Sequence, residues 1–181
     1  MNLVFLAFVL FQVASASPSQ ASPLSQLKSN MAGKSGFEVS FTQEVKEELF
    51  PDETELASGM IRLKKPDQLE WSYLKPRKRI IRYVDKKLTI EQGGEVTDVP
   101  RSDQVSLHES FSFLWGETDP KTFSIKIIDA KRFRISPVKK ENVGFETIDV
   151  TLGERWVREV RIKNKLEGES VISFSNWKVL N

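Results

Sequence analysis

The sequence predicts a mainly β domain with two helical segments, whose antiparallel sheet of about ten or eleven short strands curls into an incomplete barrel capped by helices. Three observations carry that prediction. Apolar residues alternate with polar ones along most of the chain. Turn pairs such as Pro66-Asp67, Asp85-Lys86 and Gly93-Gly94 punctuate the alternation. Only two stretches shift toward helical spacing.

The elements follow in order. Residues 17–23 are small, polar and proline-bearing, as in a short tail. Ser22 or Ser25 can cap a helix running to about Met31, with Leu24, Leu27 and Met31 on one face, and Gly33 and Gly36 end it. Phe37, Val39 and Phe41 then alternate with Glu38, Ser40 and Thr42 as a half-buried strand. Residues 47–55 are acidic and contain Pro51, which predicts a loop. Strands are expected over 56–64, through Leu69, Trp71 and Tyr73, over 80–84, through Leu88 and Ile90, and over 96–99. Pro76 breaks the strand through Leu69, Trp71 and Tyr73, and the Asp85-Lys86 and Gly93-Gly94 pairs join hairpins. Residues 100–116 break the rhythm: Val105, Leu107, Phe111, Leu114 and Trp115 fall near helical spacing. Strands resume over 123–128, 132–135, 145–152, 156–162 and 171–179.

The 181 residues suit one domain with a real core, and 39% hydrophobic content is far above that of a disordered chain. A net charge of +2, with basic and acidic residues interspersed, gives no concentrated stripe for nucleic acid. Residues 3–13 form a nearly unbroken apolar run followed by Ala14-Ser15-Ala16, a small-x-small pattern. The run is shorter than the ~20 residues of a spanning helix, so residues 1–16 read as a signal peptide cleaved after Ala16 and 17–181 as one domain. The first residues carry no Lys or Arg, which is unusual for such a leader. The absence of cysteine excludes disulfides, thiol nucleophiles, Cys-ligated zinc and a lipidated cysteine, and together with the leader it suggests the periplasm.

Chemistry-bearing constellations are sparse. His108 is the sole histidine, so a histidine-rich metal site is not expected. Carboxylate pairs such as Glu117 and Asp119 arise readily by chance at this acidic content, and no phosphate-cradling loop exists, so an enzyme is not expected. Lys75, Arg77, Lys78, Arg79 and Arg82 form the densest basic group. It suits anionic headgroups or an acidic receptor surface, and equally a solvated hairpin loop. Glu44, Glu47, Glu48, Asp52, Glu53 and Glu55 form its acidic counterpart. A barrel of this kind either fills its inside with side chains or holds a ligand in an apolar mouth, and composition alone does not separate the two.

Three segments resemble a known family. Phe37-Glu38-Val39-Ser40-Phe41-Thr42-Gln43 is similar to the Phe-x-x-x-Phe-x-Gln opening strand of the LolA-type lipoprotein carriers. Gly59-Met60-Ile61-Arg62-Leu63-Lys64-Lys65-Pro66, with Trp71 and Pro76 following, resembles their Gly-x-Leu-x-x-x-Arg-Pro segment, and Leu69 stands where the family often has Phe. Residues 172–179 resemble the closing strand, and the spacing agrees over most of 24–181. The resemblance implies an unclosed barrel with an apolar cavity for acyl chains, no cofactor and no catalysis. It implies a periplasmic chaperone that moves lipoproteins from the inner to the outer membrane, here as a monomer. Its implied partners are acylated lipoproteins, an inner-membrane lipoprotein-releasing ABC transporter and an outer-membrane lipoprotein receptor. A lipid- or lipoprotein-sensing regulatory module on the same fold is the alternative.

The expected lipid-binding residues are Phe41, Leu63, Leu69, Trp71 and Tyr73 from the sheet, with Leu107, Phe111, Leu114 and Trp115 from a helical lid. Each is equally at home as ordinary core. Two departures stand out. Lys65 replaces the arginine implied to hold the lid, offering a point charge in place of a planar fork. The family's Asp-Gly-Lys hairpin reads Asp85-Lys86-Lys87, with Leu88 and Ile90 where aromatic residues are usual, which fits a divergent paralogue.

Overall fold

The computed structural model describes residues 21–46, 53–65, 68–100, 120–139, 144–164 and 168–181. Helix α1 spans Pro23–Met31. Ser22 is its cap, accepting a hydrogen bond from the Ser25 amide at 3.2 Å, and proline occupies the first turn, where no amide is needed. Leu27 and Met31 are buried in the core and Leu24 packs against it, as the spacing predicts.

Eleven strands follow: β1 (Gly36–Lys46), β2 (Thr54–Lys64), β3 (Gln68–Lys75), β4 (Arg79–Val84), β5 (Lys87–Gln92), β6 (Glu95–Asp98), β7 (Phe123–Ile127), β8 (Arg132–Pro137), β9 (Phe145–Leu152), β10 (Val157–Asn164) and β11 (Glu169–Leu180). They form one antiparallel sheet in the order β6-β5-β4-β3-β2-β1-β11-β10-β9-β8-β7. Every neighbour is a hairpin partner except the central pair, where the first strand zips against the last. The result is a curved, unclosed sheet with β6 and β7 as its edges, an incomplete barrel.

Two of the predicted turns are present, and the third, Pro66-Asp67, lies outside the described residues. Asp85 and Lys86 lie at φ 51° and 62°, and Gly93 and Gly94 at 62° and 87°, the left-handed pairs that two-residue hairpins require. One expectation is corrected. The acidic stretch ending at Glu55 is not all loop, because β2 already begins at Thr54 and Glu55 pairs with Val45. The Glu55 side chain remains exposed, so strand pairing costs it nothing. Two expectations, the leader over 1–16 and the second helix over 100–116, lie outside the described residues. One helix is therefore seen where two are expected.

The two faces of the sheet differ in kind. On the outer face, Arg62 donates to Glu38 at 2.6 Å, Arg82 bridges Glu70 at 3.0 Å and Glu91 at 2.7 Å, and Arg134 grips Asp149 at 2.6 Å. Arg161 continues the ladder to Glu169 at 3.0 Å. Such exposed pairs contribute ~0.2–1 kcal/mol each, so their weight lies in register and in keeping this face wet. The inner face carries the core: Phe37, Val39, Phe41, Ile61, Leu63, Trp71, Phe133, Val150, Val160 and Ile172 are all nearly sealed from solvent.

A bulge keeps β11 on that plan. Glu38 pairs with Lys178 but Ser40 with Ser175, so Asn176 and Trp177 together oppose Val39, and Asn176 takes φ 55°. The extra residue resets the alternation. Trp177 thereby joins Phe174 on the inner face, stacks on Trp156 with centroids 5.8 Å apart, and donates its indole N–H to the Val157 carbonyl at 3.0 Å.

Candidate functional site: an aromatic trough and its open end

Strand register sets a trough along the inner face. At the end held by α1, Phe37, Leu63, Leu69, Tyr83 and Leu88 pair in sequence across five strands. One step along, Ile61, Trp71, Ile81 and Ile90 form the next row. Then come Phe41, Gly59, Tyr73 and Arg79, and at the far end Gln43 pairs with Ala57. The α1 end is closed by the Phe37, Trp156 and Trp177 rings and by the helix, whose Asn30 amide donates to the Arg155 carbonyl.

The five sheet residues expected at the site share this face. Phe41, Trp71 and Tyr73 make one aromatic group: Phe41 meets both others edge-on at 5.3 Å, and Trp71 stacks on Tyr73 at 5.9 Å. Leu63 and Leu69 are paired with each other deeper in the trough. Lys65 is set apart, exposed at the end of β2, where its amide donates to the Ser35 carbonyl at 2.8 Å. Leu107, Phe111, Leu114 and Trp115 lie outside the described residues.

Two residues that enter the sequence reading only as motif positions shape the floor. Gly59 lies beneath the Phe41 ring; a β-carbon there would come within 3.0 Å of Phe41 Cε1 and collide outright with the Ser72 carbonyl. A lone glycine inside a strand pattern is the signal for such close approach. Gln43 accepts a hydrogen bond from the Tyr73 hydroxyl at 3.0 Å, satisfying the phenol where the trough turns from apolar to polar. Burial raises the Tyr73 phenol above its ordinary value, a shift that nearby Arg79 partly offsets. The Arg79 guanidinium sits 4.5 Å over the Tyr73 ring.

Beyond Tyr73 the trough opens into a cavity of about 580 Å³, within the size range of small-molecule sites. Val45, Leu56 and Ala57 form its apolar wall, and Lys75, Arg77 and Arg79 its basic rim. Arg82, grouped with that rim by sequence proximity, belongs instead to the outer ladder, because period two turns it away from Arg79 and Ile81.

The connection between the two sheet edges has a fixed span. It leaves β6 after Asp98, in the pairing row that runs through Arg82 and Arg62 to Glu38. It returns at Phe123 of β7, beside Pro137 on the last turn of β8 and near the row of Lys46. Its two ends therefore sit on opposite edges and at opposite ends of the trough.

Comparison with known proteins agrees with this architecture. The family model described as outer membrane lipoprotein carrier protein LolA matches residues 32–180. The chain is 25% identical over 169 residues to the outer-membrane lipoprotein carrier protein of Chromobacterium violaceum, covering 90% of this chain and 80% of that one. A crystal structure of a LolA superfamily protein from Nitrosomonas europaea superposes with a TM-score of 0.52 at 11% identity, covering 88% of this chain and 92% of the other. At that identity the superposition speaks for the fold alone. The match over nearly the whole chain settles the family: this protein belongs to the LolA outer membrane lipoprotein carriers.

Proposed function

We propose that the protein is a periplasmic carrier that shields lipoprotein acyl chains in the aromatic trough and moves lipoproteins from the inner to the outer membrane. The observation that carries this reading is the two-faced sheet, charge-laddered outside and aromatic inside, which ends in an open cavity at one end. Burying a CH₂ is worth about 0.8 kcal/mol, so a palmitoyl-length chain represents on the order of 10 kcal/mol that must stay covered in water. Phe41, Leu63, Leu69, Trp71 and Tyr73 supply the floor. Leu107, Phe111, Leu114 and Trp115, expected on a helical lid, supply the cover. Cleavage after Ala16 would release the domain; among the described residues no helix is long and apolar enough to cross a membrane. An inner-membrane ABC transporter loads the cargo, an outer-membrane receptor takes it, and no catalysis is involved.

The test is uptake of a triacylated lipopeptide by the purified protein. Trp71→Glu and Leu114→Glu should each abolish uptake while secretion and the β-sheet circular dichroism signal persist. Undiminished uptake in both variants would remove the site from the trough. Lys65→Arg, by restoring the planar fork, should slow cargo release; unchanged release would dissociate Lys65 from the cover.

A further inference from the structure

Among the described residues the basic rim has no acidic partner. On the outer face Arg62, Arg82, Arg134 and Arg161 each meet a carboxylate. Among the described residues no carboxylate stands within ion-pair reach of Lys75, Arg77 or Arg79, although all three line one cavity. Among the described residues lining that cavity Glu55 is the single carboxylate, against three cations. The rim is also placed rather than scattered. Arg79 is only half-exposed and held over Tyr73, and Lys75 and Arg77 flank Pro76 at the turn from β3 to β4. Directly inward lie Tyr73, Phe41 and Trp71, so the apolar trough and the cationic rim are continuous.

Resting on the carrier reading above, we infer that this rim is a headgroup subsite, and that beside its lipoprotein cargo the site takes free amphiphiles with an anionic, phosphate-bearing headgroup in preference to neutral ones of the same chain. Guanidinium groups suit that chemistry, because their planar donor fork matches two phosphate oxygens at once. The acyl chain lies in the cavity against Tyr73 and the Val45, Leu56 and Ala57 wall, and the phosphate stops at the rim because burial beyond Tyr73 would strip its water without compensation. Coverage of the chain thus sets affinity, and the rim sets selection by charge.

The test compares two lipids that share a chain, palmitoyl-lysophosphatidylglycerol and monopalmitoylglycerol, each titrated below its micellar concentration into the full mature protein by calorimetry. The wild-type protein should bind the anionic lipid about tenfold more tightly at low salt, a preference that half-molar sodium chloride erodes. In a Lys75→Gln, Arg77→Gln, Arg79→Gln triple variant the ratio of the two dissociation constants should fall to within about twofold of unity. Reading a ratio within each protein separates loss of selection from loss of fold. A wild-type ratio near one, as expected if the rim serves an acidic protein surface, would overturn the subsite, as would a ratio the triple variant retains. Inorganic phosphate alone should bind at least a hundredfold more weakly than the anionic lipid; equal affinity would make this a free-anion site and overturn the lipid assignment. If neither lipid binds while a triacylated lipopeptide is still taken up, the subsite falls and the carrier reading stands; if the lipopeptide is refused as well, both fall.

Discussion

At Gly59 a missing β-carbon lets the Phe41 ring lie flat over β2 and lets β3 approach. Gly59→Ala would drive a methyl group into the Ser72 carbonyl, which belongs to paired backbone and yields little. The expected cost is about 2–4 kcal/mol, read as a fall in Tm of roughly 5–15 °C. A variant as stable as the wild type would mean that β2 and β3 are farther apart than described. The inward set was legible residue by residue: strict alternation places Phe41, Leu63, Leu69, Trp71 and Tyr73 on one face, and the structure finds them there. What alternation does not reveal is how neighbours on different strands meet. The hydrogen bond from Tyr73 to Gln43 and the seat of Arg79 on Tyr73 depend on strand register, which a one-dimensional pattern leaves undetermined.

Hairpins carry the same lesson at the scale of elements. Asp85-Lys86 was readable as a two-residue turn, but its backbone puts a lysine at φ 62°, where glycine is the comfortable residue. Lys86→Gly should therefore stabilise the β4–β5 hairpin by about 0.5–1 kcal/mol, raising Tm by roughly 2–4 °C. A lower Tm would contradict the left-handed turn. The bulge at Asn176 was not readable. Strict alternation from Phe174 turns Trp177 outward, and only the inserted residue brings it in against Phe37 and Trp156. The early start of β2 was missed for a related reason. Glu55 looks like loop because it is acidic, whereas a strand end beside an open cavity tolerates it once Val45 provides a partner.

Across the whole molecule, the pairing of first and last strands is the feature that makes a trough from a meander, and no local pattern in β1 or β11 announces it. Once made, that pairing carries the outer charge ladder across the seam, where Glu38 of β1 faces Arg62 on one side and Lys178 on the other. The hydrogen bond from Arg62 holds the Glu38 carboxyl below its ordinary 4.5, against a small opposing effect of burial. A group lowered in the folded state stabilises above its unfolded value, and that contribution is lost as pH falls through the folded one. Thermal stability should thus decline on acidification below about pH 4.5, and Glu38→Gln should make that decline shallower while costing little at neutral pH. An unchanged acid limb would show that the ladder contributes nothing at the seam.

The central claim is that the trough holds acyl chains, and native mass spectrometry tests it most directly. The mature protein would be purified without detergent from a periplasmic fraction, weighed intact, and its lipids extracted. The account predicts a bound acylated species, or its appearance when a triacylated peptide is added, and its loss in Trp71→Glu. A clean mass with no uptake from added lipopeptide would contradict it and leave a sheet whose aromatic face is packed for stability alone.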